Sequence, residues 1–109
     1  MQNIEIQYLE TVVEDLNRLV DILYERDYFG FKDSAKQYVD DMKSYIEQHI
    51  ARAISHIAPS YFIKYGTNMR YFIYNSNKQT SWYIFFQKSD NKFLVRHITN
   101  NHVVGHFIR

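Results

Sequence analysis

The chain has no cysteine and only one proline and three glycines in its 109 residues. Without thiols there is no disulfide framework, no thiolate metal site and no Cys nucleophile, and a reducing, cytoplasmic location is the easier expectation. Long hydrophobic runs are missing too: none approaches the roughly 18 residues of a membrane span. The opening MQNIEIQYLE carries neither a basic nor an apolar leader region. No membrane partner and no leader are therefore expected. The chain also lacks a carboxylate pair, a Ser-His-Asp set and a Gly-rich phosphate loop, which leaves a small-substrate hydrolase without support.

Acid is scarce in one half only. Residues 1–57 hold six Lys/Arg against eleven Asp/Glu, a net of −5, while residues 58–109 hold seven against one, a net of +6. The overall charge of +1 hides this split. A half whose single carboxylate is Asp90 suggests a surface that meets a polyanion or an acidic protein segment; the alternative is that the halves neutralise each other within one domain. The length suits one domain, 1–109, able to bury a core without metal or disulfide staples.

Apolar spacing supplies the elements. Ile4, Ile6 and Tyr8 alternate with polar residues, which predicts a short first strand. Thr11 and Glu14 form a capping-box signature, and Val12, Val13, Leu16, Leu19, Val20 and Leu23 then make one helical face over about 12–26. Gly30 marks a break and Asp33 or Ser34 the next cap. Apolar residues from Ala35 through Val39, Met42, Ile46 and Ile50 to Ile57 predict a long helix that Pro59 stops. Beyond it MRYFIYN, SWYIFFQK and KFLVRHIT read as strands joined by turns rich in Asn, Ser and Asp, with a short extra strand possible at 61–65. The sum is an α+β fold, β-α-α-β-β-β, with an antiparallel sheet covered on one face by two helices. Counting by twos sets Arg70, Phe72 and Tyr74 on one side of their strand, and Phe93, Val95 and His97 on one side of the last.

With that order of elements, three segments carry a resemblance: IEIQYLETVVEDLNRLVDIL to an opening strand and acidic, Leu-containing helix, MRYFIYN (69–75) to a YR-apolar-apolar-Y strand, and KFLVRHITNNH to a closing basic strand. Together they resemble the RelE/ParE superfamily of bacterial toxins. The resemblance implies the toxin of a type II toxin–antitoxin pair, held by a cognate antitoxin protein. It implies either a ribosome-dependent mRNA endonuclease or an inhibitor of DNA gyrase, with no metal and no cofactor in either branch.

Carried over, Arg70 would stabilise charge on the scissile phosphate, Arg96 and His97 would form the basic end of the last strand, and His102 or His106 would protonate the leaving oxygen. Lys64, Tyr74, Tyr83 and Lys92 complete a candidate RNA-contacting set, the tyrosines as exposed stacking rings. The segment Thr99-Asn100-Asn101 departs from the dense basic cluster of the nuclease branch. A gyrase inhibitor, or a non-catalytic relative that binds a nucleic acid or a peptide, fits that sparse set as well. His102 and His106 have i, i+4 spacing, but the intervening Val-Val-Gly does not look helical, so they are read as no metal site, and His49 and His56 are read as structural.

Overall fold

The computed structural model describes residues 3–25 and 32–104. In chain order these form β1 (Glu5–Tyr8), α1 (Glu10–Glu25), α2 (Lys32–His49), β2 (His56–Ile57), a 3₁₀ helix (Ser60–Tyr65), β3 (Arg70–Asn75), β4 (Ser81–Ser89), β5 (Lys92–Asn100) and α3 (Asn101–Val104). The fold is α+β. Its one sheet has five strands in the order β1-β5-β4-β3-β2.

The sheet is mixed, which corrects the antiparallel expectation. β2 through β5 pair antiparallel, but β1 runs parallel to β5, with Tyr8 opposite Val95. Short turns dictate direction only within the β3-β4-β5 meander; between β1 and β5 lie both long helices and three strands, so no hairpin constrains the pair. Asp90, with a φ of 55°, makes the tight turn that joins β4 to β5.

The amphipathic spacing of α1 and α2 buries Val12, Leu16, Val39, Met42, Ile46 and Ile50 against Phe72, Trp82, Ile84, Phe86, Phe93 and Val95 of the sheet. Val13, expected on the same stripe, is instead 44% exposed. Thr11 does not cap α1: the helix begins at Glu10, and the amides of Val12 and Val13 both donate to Leu9 O. Gly30 lies outside the described residues. Asp33 and Ser34 fall inside α2 rather than before it.

α2 ends at His49, eight residues short of the expected Ile57, although nothing before Pro59 breaks a helix. Tertiary pairing wins here over propensity. Arg52 and Ala53 both donate to His49 O in a closing turn, His56 and Ile57 then pair with Tyr71 and Arg70, and Ala58 donates to Met69 O. Pro59 starts the 3₁₀ helix where a strand was expected at 61–65. That helix exists because Phe62 inserts into the sheet face opposite α1 and α2, stacking 4.4 Å from Phe85. Phe62, Met69, Tyr71, Tyr83 and Phe85 make a second, smaller core there.

One buried group of the helix side lacks a partner: the Tyr8 hydroxyl. Burial first, and then the Glu47 carboxylate, push it up to about 12. Tyr8→Phe should therefore leave stability unchanged or raise it by about 1 kcal/mol, since a desolvation cost disappears with no bond lost. Urea unfolding of the two proteins checks this.

Candidate anion-binding surface

Antiparallel register between β4 and β5 slips once. Phe86 faces Val95 and Phe85 faces His97, so Arg96 is an extra residue on β5, a β-bulge. Val95 points into the main core, fully buried. Past the bulge the alternation resets, and His97 joins the opposite face with Phe85 and Phe62. The expectation that His97 shares a side with Phe93 and Val95 is thus overturned, because a bulge adds one residue to a period of two.

Arg96 and His97, adjacent in sequence, consequently work on one face around a single residue of the 3₁₀ helix, Tyr65. Arg96 Nε donates to Tyr65 O at 2.7 Å, and its Nη1 reaches Gln87 Oε1 at 3.4 Å. His97 lies flat on the Tyr65 ring, centroids 3.7 Å apart and planes 6° from parallel. Lys64 Nζ stands 4.2 Å from the centre of Tyr61 and 5.4 Å from that of Tyr65, within cation–π reach of both. Gly66 makes room for this: a Cβ there would meet Arg96 Nε at 2.4 Å. Lys92 lies further along β5, lining a shallow groove with Gln7, Thr67, Asn68, Gln87 and Leu94. Glu5, its partner on β1, stands beside it.

His97 is held below the ordinary imidazole range chiefly by burial; Asp15 opposes that shift and Lys64 adds to it. A base whose folded value is depressed takes up its proton more readily when unfolded. The protein should accordingly lose stability as pH falls below about 6.5, through the window down to the lower folded value. His97→Phe should flatten that acid limb in thermal melts run across the window.

The remaining expected site residues lie elsewhere. Arg70 pairs with Phe86, whose side chain belongs to the main core, so Arg70 sits on the helix side of the sheet, across from Arg96 and His97. Its Nε donates to Ser55 Oγ and its Nη2 to Ser55 O, both at 2.7 Å, which fastens the turn after α2. Arg70→Ala should cost about 1 kcal/mol, an amount reduced by its exposure, and leave any activity of the other face intact; denaturant unfolding with a functional assay checks both halves.

His102, though exposed, is also tied to the fold. Its Nε2 lies 3.2 Å from Thr80 Oγ1, while Asn101 accepts from Ser81 N and donates to Gln79 O. The polar end of β5 therefore clamps the β3–β4 turn. The segment after it does form a helical turn, α3, contrary to the expectation for Val103-Val104. His106 lies outside the described residues. Tyr74 and Tyr83 are not exposed stacking rings: Tyr74 is half-buried 4.6 Å from Tyr45, and Tyr83 is 8% exposed, edge-on to Tyr71. His49 stacks on Tyr45 and bonds its carbonyl, and His56 lies against Tyr71.

The structure thus brings together Arg96, His97 and Lys64, and separates them from Arg70 and His102. A comparison with protein-family models, curated proteins and solved structures finds no match. Among the described residues no helix is long and apolar enough to cross a membrane.

Sequence reading missed Tyr65, Gly66 and Gln87. Gly66 is a turn-forming residue type, but nothing in the order of residues shows that an arginine crosses over it. Chemically, the surface can hold an anion through a fixed guanidinium and an ammonium. Among the described residues it offers no second base or acid placed opposite His97 across a reacting atom.

Proposed function

We propose that the chain is a RelE/ParE-like toxin of a type II toxin–antitoxin pair that inhibits its target, DNA gyrase in the branch the resemblance names, by binding and without cutting RNA. What supports the toxin reading is an opening strand and two helices followed by an antiparallel meander, with the helix pair on one face and a cationic, aromatic surface on the other; β2, the 3₁₀ helix and α3 are additions to the expected β-α-α-β-β-β order. What favours binding over cleavage is a single observation: Arg70 and the Arg96–His97 pair occupy opposite sides of the sheet. A phosphoryl transfer needs its charge-stabilising and proton-donating groups about one reacting atom, within a few ångströms. Groups divided by a sheet cannot meet that need. Arg96 and Lys64 can still hold an anionic partner.

The test is induction of the wild type and of Arg96→Ala in a bacterial host, with growth, reporter-mRNA 5′ ends and gyrase supercoiling followed together. Growth arrest with loss of supercoiling, no new in-frame 5′ ends, and relief by Arg96→Ala is the expected result. New in-frame ends would overturn it in favour of the ribosome-dependent nuclease. Normal growth would point to a non-catalytic module for a nucleic acid or a peptide.

A further inference from the structure

The surface around Tyr65 carries an imidazole, His97, that shares Tyr65 with the Arg96 guanidinium and the Lys64 ammonium. We infer that His97 is a protonation gate: as a neutral ring it lies flat on Tyr65 beside Arg96 and Lys64, and as an imidazolium it becomes a third cation that tightens the hold on a phosphate-bearing single strand. This goes beyond gyrase inhibition and rests only on the reading that the surface meets an anion.

Geometry carries the inference. The bulge at Arg96 sets two consecutive side chains of β5 on one face, so the imidazole stands next to a guanidinium already fixed by Tyr65 O. The parallel stack on Tyr65 keeps the ring in place in both charge states, because an imidazolium on a tyrosine face gains a cation–π contact as it loses solvent. The groups that act on it come from three elements. Asp15 on α1, itself 3.5 Å from Arg18, favours the charged ring; Lys64 on the 3₁₀ helix disfavours it; Arg96 adjoins it on β5. Burial holds the ring neutral at pH 7, so a bound phosphate has a charge state left to recruit. Lys64 stands over the partly exposed ring of Tyr61, so the surface combines ammonium, guanidinium and aromatic rings, the mixture that holds a single-stranded nucleic acid and that an acidic peptide does not need.

A phosphate close enough to raise the His97 midpoint by about one pH unit gives about a tenfold difference in affinity between the charged and neutral forms. The experiment is fluorescence anisotropy of a labelled ten-residue oligothymidylate with the full chain from pH 5.5 to 8, at constant salt, with folding verified by circular dichroism at each pH. Wild type should bind up to about tenfold tighter at the acid end, and His97→Phe, which keeps a flat ring, should lose that pH slope. In parallel, the His97 ring proton followed by NMR in wild type should titrate at higher pH when the oligonucleotide is bound, a readout that survives if the variant does not fold. Binding that is flat with pH in wild type, or a pH slope retained by His97→Phe, overturns the gate and leaves the anion-binding surface standing. No oligonucleotide binding at any pH overturns the gate; if polyglutamate also fails to bind, the anion-facing reading falls with it.

Discussion

Phe85→Ala is expected to remove about 3–5 kcal/mol of folding stability, a large part of the roughly 5–15 kcal/mol that holds an ordinary domain together. Phe85 has no exposed surface, and its ring lies 4.4 Å from Phe62, 5.3 Å from Tyr71 and 5.9 Å from His97. It is the residue on which the second core is assembled. Truncation leaves a cavity that the sheet cannot close, because Phe85 is fixed in register between Tyr71 and His97 on its two neighbours. The 3₁₀ helix would lose the surface that seats Phe62, and with it Tyr65. Two consequences separate this from a uniform loss of stability. The urea midpoint should fall sharply, and at low urea the amides of residues 60–66 should exchange faster than those of α2, whose contacts lie on the far side of the sheet.

Gly66→Ala should have the largest effect on the surface itself and should also cost folding stability, because a φ of 158° is one that residues with a side chain rarely adopt. A Cβ would come within 2.4 Å of Arg96 Nε, 2.7 Å of Arg96 Cδ and 3.2 Å of Met69 Sδ. Val95 and His97, which flank the bulge, are both paired with β4, so the side chain of Arg96 has to give way, and the bond from Nε to Tyr65 O goes with it. Oligonucleotide affinity should drop at least about tenfold, the share of one well-placed charged hydrogen bond, while backbone strain lowers folding stability by about 1–3 kcal/mol in urea unfolding. Arg96→Ala supplies the comparison: Gly66→Ala should approach its affinity. Binding by Gly66→Ala at the wild-type level would show that the anion does not need Arg96 where Tyr65 holds it.

Much of the fold was legible because periodicity reports burial. The stripe Val39, Met42, Ile46 and Ile50 reads directly from the spacing and is almost wholly buried. The β3-β4-β5 meander was equally plain from its aromatic strands and from Asp90-Asn91. Three features escaped for separate reasons. The end of α2 at His49 depends on β2 finding Tyr71 and Arg70, residues distant in sequence, and local propensity does not register such pairing. The 3₁₀ helix depends on where Phe62 can insert, which requires knowing the opposing face. The bulge at Arg96 depends on register, and one unseen extra residue reversed the side assigned to His97. For the candidate site the same reversal mattered most. Arg96, His97 and Lys64 were picked out as cations, but their grouping, and the exile of Arg70 to the other face, followed from pairings that no single segment encodes.

The placement of β5 between β1 and β4 also governs the order in which the protein can form during synthesis. The two long helices and β1 leave the ribosome well before the strand that ties β1 to the rest of the sheet and supplies Phe93 and Val95 to the helices' core. A nascent chain lacking residues 92–100 thus has an edge on β4 and an apolar helix face with nothing to cover either. Folding is then a late, concerted event that closes the longest loop in the chain. Until it occurs, the chain depends on whatever binds its exposed edge.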